Sequence, residues 1–65
     1  MSYNMKITLK AARINAGFTQ EQVEAESGIS RSTLYRWEHG KGFPRVNDLD
    51  KLCRMYGIPM ECIKK

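Results

Sequence analysis

The chain holds only two cysteines and one histidine in 65 residues, and both scarcities close off a class of protein. Cys53 and Cys62 are too few and too far apart for a disulfide framework or a zinc knuckle, so reduced thiols and no metal are expected. Cys53 falls on an apolar stripe and reads as a small core filler, while Cys62, close to the C-terminal end, is harder to place. No apolar run approaches the roughly 18 residues that cross a bilayer, and the opening MSYNMK lacks the apolar segment of a signal peptide. A cytoplasmic chain with no membrane partner is the simplest expectation. Catalysis is not expected either. Ser27, Ser30 and Ser32 have only His39 as a base, no carboxylate is placed to orient it, and a Gly-rich phosphate loop is missing. No cofactor and no small-molecule ligand follow from this composition, and His39 itself reads as a surface residue at a helix end.

What is present fits one small domain. A chain of 65 residues buries only about 60% of the surface it exposes unfolded and cannot divide that between two cores. Residues 1–6 show no period and read as a flexible arm, which leaves residues 7–65 as the domain. Eleven basic against seven acidic side chains give a net charge of +4, which favours a polyanionic partner only if the cations share a face.

Helix signals punctuate the chain. Thr8 can cap a first helix that stops at Gly17, with Leu9, Ala12, Arg13 and Ala16 along one stripe. Arg13 is a charge among apolar neighbours and must reach water or meet a buried anion, because an unpaired buried charge is costly. Thr19, with Gln22 three residues on, makes a capping box for a helix over 20–27, flanked by Phe18 and Val23 as a hydrophobic staple. Glu21, Glu24 and Glu26 make that helix acidic, so only its N-terminal tip suits a phosphate. After a turn containing Gly28, Ser30 caps a third helix from Arg31 to about His39, with Ile29 and Leu34 as its staple. A step of about 100° per residue from Leu34 brings Trp37 and Glu38 inward and sends Ser32, Tyr35, Arg36 and His39 outward. Glu38 therefore mirrors Arg13, and the two are expected to form a buried bidentate ion pair between the first and third helices.

Gly40, Lys41, Gly42 and Pro44 make a loop, and Asn47 is the expected cap of a fourth helix that ends at Gly57. Leu49, Leu52, Cys53 and Tyr56 give it the cleanest stripe in the chain. A short fifth helix from about Pro59 to Ile63 is expected to add Ile58, Met60 and Ile63 to the apolar surface, which makes 58–63 the candidate dimer face.

The outward face of the third helix has the chemistry to read a major groove. Arg31 and Arg36 can each donate two parallel hydrogen bonds to guanine O6 and N7, and Ser32 can bond a base or a phosphate. Gln20 and Thr33, at helix starts where the dipole attracts anions, and the loop cation Lys41 are the expected phosphate contacts. Tyr35 is expected beside the DNA backbone, as an exposed aromatic that shields Arg36 or packs on a sugar, with a base contact an equal alternative.

The window TQEQVEAESGISRSTLYRWEHGKGFP, extended back to LKAARINAGF and forward to LDKLCRMYGI, resembles the helix-turn-helix domain of the phage repressor and Cro family, also called the XRE family. The resemblance covers residues 7 to 63. It implies an all-α fold, a compact five-helix lambda-repressor-like bundle, with Arg13 paired to Glu38, Gln20 and Lys41 at phosphates, and Arg31, Ser32 and Arg36 at base edges. Two positions depart from the family pattern: Glu24 replaces an alanine packed on the turn, and Ser27 replaces a leucine. Both thin the core, and Glu24 is expected to be partly exposed or to pair with a nearby basic side chain. The function that follows is sequence-specific binding of double-stranded DNA in transcription control, most simply as a phage-type repressor that binds a palindromic operator as a homodimer. An antitoxin-like protein-interaction module, docked through acidic helix two, and an accessory DNA-bending factor for recombination are the competing classes.

Overall fold

The computed structural model describes residues 6–64, so all of the N-terminal arm except Lys6 lies outside the described residues. Local capping chemistry accounts for where the first helices begin. The Thr8 hydroxyl accepts from the Ala11 amide at 3.1 Å and starts α1, Leu9–Asn15. Thr19 and Gln22 close a reciprocal capping box, with bonds of 3.1 and 2.8 Å, at the head of α2, Gln20–Ser27. Gly28, at φ +79°, ends α2 in the left-handed region, where a side chain would be strained. Ser30 then caps α3, Arg31–Glu38.

The turn between α2 and α3 is pinned by Ser27, the residue at the leucine position. Its hydroxyl donates to the Val23 carbonyl at 2.6 Å and accepts from the Ile29 amide at 3.0 Å, so the buried oxygen is fully used. Its carbonyl accepts from Lys51 Nζ at 3.1 Å. Apolar bulk is lost there, but a polar clasp replaces it.

The fourth helix, α4, runs Val46–Tyr56, and its cap corrects the assignment to Asn47. Arg45 occupies the cap position, its carbonyl accepting from the Leu49 amide at 2.8 Å, and no side chain closes the end. Arg45, after the buried Pro44, is extended and the helix begins directly beyond it, so Asn47 is left inside the first turn. Leu49, Leu52, Cys53 and Tyr56 are buried along its inner face. Burial raises the pKa of the Cys53 thiol, which keeps it protonated, and Cys62 is buried as well.

The five-helix count is also corrected: among the described residues there are four α-helices, followed by one 3₁₀ turn, Met60–Cys62. Ile63 leaves helical geometry because it pairs in parallel with Ile7, through Ile7 N–H to the Cys62 carbonyl and Lys64 N–H to the Ile7 carbonyl, each 2.8 Å. Two backbone bonds to a distant segment outweigh a short helix that would have little cooperativity. Ile63 and Cys62 are buried within the chain, so of the expected apolar surface Met60 stays exposed and Ile58 half-buried.

The core gathers inward residues from all four helices around the fully buried Val23, Leu34 and Leu52. Phe18 packs near Tyr56, ring centroids 6.1 Å apart. The buried Tyr56 hydroxyl has no hydrogen-bond partner among the described residues, and burial, with the Glu38 carboxylate nearby, pushes its pKa up to about 12. A phenol with a raised folded pKa contributes stability below its unfolded value near 10 and loses it as pH climbs towards 12. Tyr56→Phe is therefore expected to leave stability at pH 7 unchanged or raise it by up to about 1 kcal/mol. Urea unfolding at stepped pH should show the variant losing less stability than the parent across the alkaline range.

Candidate nucleic-acid interface

The site is built on a buried charge pair. Arg13 Nε lies 2.8 Å from Glu38 Oε2 and Nη2 lies 3.2 Å from Oε1, a bidentate arrangement, while Nη1 donates to the Phe18 carbonyl at 2.9 Å. The side chains are 11% and 0% exposed respectively, so the pair is screened little by water. The bond to Glu38 raises the Arg13 pKa against an opposing contribution from burial. Gln20 completes the arrangement by donating from Nε2 to Glu38 Oε1 at 3.1 Å. The last residue of α3 is thereby tied to α1 and to the first residue of α2.

That anchoring settles which side of α3 faces out. Leu34 and Glu38, four residues apart, hold one face inward, and Ser32, Tyr35 and Arg36 are exposed on the other. Arg36 makes no ion pair among the described residues. Lys41 is also exposed, and its amide donates to the Arg36 carbonyl at 2.8 Å, which fixes the loop cation to the end of α3.

Several candidate residues turn out to have partners within the chain. The amide of Gln20 is directed at Glu38, leaving one hydrogen for an outside acceptor. Thr33 is half-buried and its hydroxyl accepts from Ser30 Oγ at 2.9 Å, so it belongs first to the helix cap. Ser32 Oγ lies 3.3 Å from Ser30 Oγ and stays exposed. Tyr35 stacks on His39 at 3.8 Å between ring centroids. His39 Nδ1 lies 2.8 Å from the Tyr35 carbonyl, and since a carbonyl only accepts, Nδ1 carries the hydrogen. Arg31 leans back across α2, with Nη1 3.4 Å from Glu21 Oε2 and Nε 3.8 Å from Glu24 Oε1.

A shallow groove over the ion pair brings in residues that sequence reasoning did not assign to the site. Lys10 and His39 line it together with Gln20, Tyr35 and the edge of Glu38. Lys10 sits on the exposed side of α1, and nothing in its local pattern marks it as different from any solvated lysine. His39 is legible as an outward residue of α3, but its stack on Tyr35 depends on rotamers. The carboxylate partners of Arg31 had a signal in the sequence, because Glu24 stands where a small apolar residue is usual.

A family model described as helix-turn-helix matches residues 9–61. The chain is 30% identical over 61 residues to the HTH-type transcriptional activator BcrR of Enterococcus faecalis, covering 94% of this chain and 29% of that protein. It is 27% identical over 52 residues to the cryptic phage CTXphi transcriptional repressor RstR of Vibrio cholerae, covering 80% of this chain and 47% of the repressor. The chain thus spans less than half the length of these curated relatives. No solved structure matches the chain.

Breaking the ion pair from one side should be much worse than removing it. Arg13→Met or Glu38→Gln alone is expected to cost about 2–4 kcal/mol, because a buried partner is stranded, whereas Arg13→Met with Glu38→Leu should recover most of that. Chemical denaturation of the two single variants and the double variant measures the difference.

Proposed function

We propose that this chain, which belongs to the helix-turn-helix family of DNA-binding transcription regulators, reads the major groove of double-stranded DNA with residues 31–39 and represses by occluding a promoter. One observation carries the reading: Ser32 and Arg36 share the exposed side of a helix whose opposite side is locked by Leu34 and Glu38. A guanidinium on a rigid helix can hold the bidentate geometry that guanine offers, and a hydroxyl one turn away can bond a base or a phosphate. Arg31 joins them at the leading end. Lys41, the remaining hydrogen of Gln20 and the Thr33 hydroxyl supply contacts to the DNA backbone, with the Tyr35 ring beside a sugar.

The length of α3 argues for two copies. Eight residues rise about 12 Å, enough to touch only a few base pairs, which is too little to select a site in a genome. A homodimer on a palindromic operator, with half-sites about 34 Å apart, doubles the readout, and described extents of 33 × 22 × 19 Å let two protomers lie side by side at that spacing. Regulation by occupancy needs nothing beyond such a footprint, and a cytoplasmic location follows from a DNA target. The two relatives, one an activator and one a repressor, agree on transcription control.

Selection from random duplexes should return an inverted repeat. Against the selected site, Arg36→Ala is expected to lose about 1–3 kcal/mol of discrimination at one base pair, while Lys41→Ala weakens every duplex and lowers the salt slope by about one unit. Equal losses on selected and scrambled DNA for both variants would remove α3 as the reading element.

A further inference from the structure

We propose that Glu24, assisted by Glu21, is a specificity-determining clamp on Arg31 that penalises binding through phosphate charge alone. The inference rests on the DNA-reading role proposed for α3.

Glu24 is half-buried at the α2–α3 turn and uses both of its oxygens on one residue. Oε2 accepts from the Arg31 backbone amide at 3.3 Å, and Oε1 lies 3.8 Å from Arg31 Nε. Glu21 adds an oxygen 3.4 Å from Nη1. The first amide of α3 points where a phosphate would be drawn by the helix dipole, and a carboxylate of the same chain already stands there. The nearest cation is engaged by the same two carboxylates.

The consequences differ for the two kinds of DNA contact. A phosphate approaching the start of α3 meets two negative charges at close range, and meets them on every duplex regardless of sequence. A guanine edge is uncharged. The guanidinium has five N–H groups, so it can keep Nε and one hydrogen of Nη1 towards the carboxylates and offer the remaining hydrogens to O6 and N7. With Arg31 56% and Glu24 45% exposed, and separations at the long end for ion pairs, the clamp is weak enough to readjust on binding. It lowers affinity for all DNA and takes least from the site where Arg31 finds a base.

The test is a double-mutant cycle on the full chain, with affinity measured on a selected duplex and on a scrambled one across a salt series. Glu24→Gln is expected to bind scrambled DNA roughly threefold to tenfold more tightly, with a salt slope steeper by about 0.9, and to gain less on the selected site. In an Arg31→Ala background the same substitution should keep only the part of the gain that comes from the freed amide and the lost repulsion, and so give a clearly smaller gain on scrambled DNA. Glu26→Gln removes an equal charge from an exposed position of α2 and should have the smaller effect in the parent background. Circular dichroism melting checks folding, and Glu21→Gln, at a 70% exposed side chain, carries the same expectation at reduced size should Glu24→Gln unfold. A gain that is absent, or that persists undiminished without Arg31, overturns the clamp while leaving DNA reading intact. A parent protein that distinguishes no duplex from any other overturns both.

Discussion

The orientation of everything that α3 presents to the outside depends on a guanidinium and a carboxylate that face inward. The Glu38 side chain is withdrawn from water, and two nitrogens of Arg13 and the amide of Gln20 supply its hydrogen bonds. The third bond from Arg13, to the Phe18 carbonyl, fixes the loop between α1 and α2 as well. A buried pair of this kind adds less to net stability than its Coulomb energy suggests, because both ions lose their hydration. Its effect is on register. With Glu38 unable to turn outward, α3 cannot roll about its axis, and the exposed positions of the helix are set.

Around that pair the fold uses polar fastenings where a larger domain would use apolar bulk. Val23 is the single large apolar side chain of α2, so its packing alone holds that helix loosely. Ser27 bonds back to Val23 and forward to Ile29, and Lys51 reaches from α4 to the Ser27 carbonyl. These bonds each satisfy a buried or partly buried group, which would cost more unmade than the bond returns when made. The acidic face of α2 is turned to use in the same way: Glu21 and Glu24 lie against Arg31, and the charge that makes α2 unsuited to phosphate bears on the leading residue of α3.

How much could be seen beforehand varies by element, for physical reasons. The bounds of α2 coincide with those drawn from Thr19, Gln22 and Gly28, because capping box and left-handed stop are bonds among near neighbours in the chain. The stripes that place Leu34, Glu38 and Arg13 inward follow from helical period and burial. The start of α4 was misplaced because Asn47 is a good cap in isolation, whereas the chain arriving through Pro44 starts the helix at Val46. The fifth helix failed, since one bridge between Ile7 and Ile63 draws the end of the C-terminal segment out of helical geometry, where Cys62 and Ile63 are buried. Gln20 and Thr33 are nominated for phosphate by their places at helix starts, and their bonds to Glu38 and Ser30 depend on where neighbouring side chains come to rest.

By itself, then, the order of residues determined the four helices, their inner faces and the family to which the domain belongs, because those depend on hydrogen bonds and burial patterns that repeat every three or four residues. Tertiary packing alone decided that Arg31 lies against α2, that Tyr35 covers His39, and that the last residues close on Ile7. Such contacts join side chains whose separation in space bears no fixed relation to their separation along the chain, and only the folded backbone brings them within bonding distance.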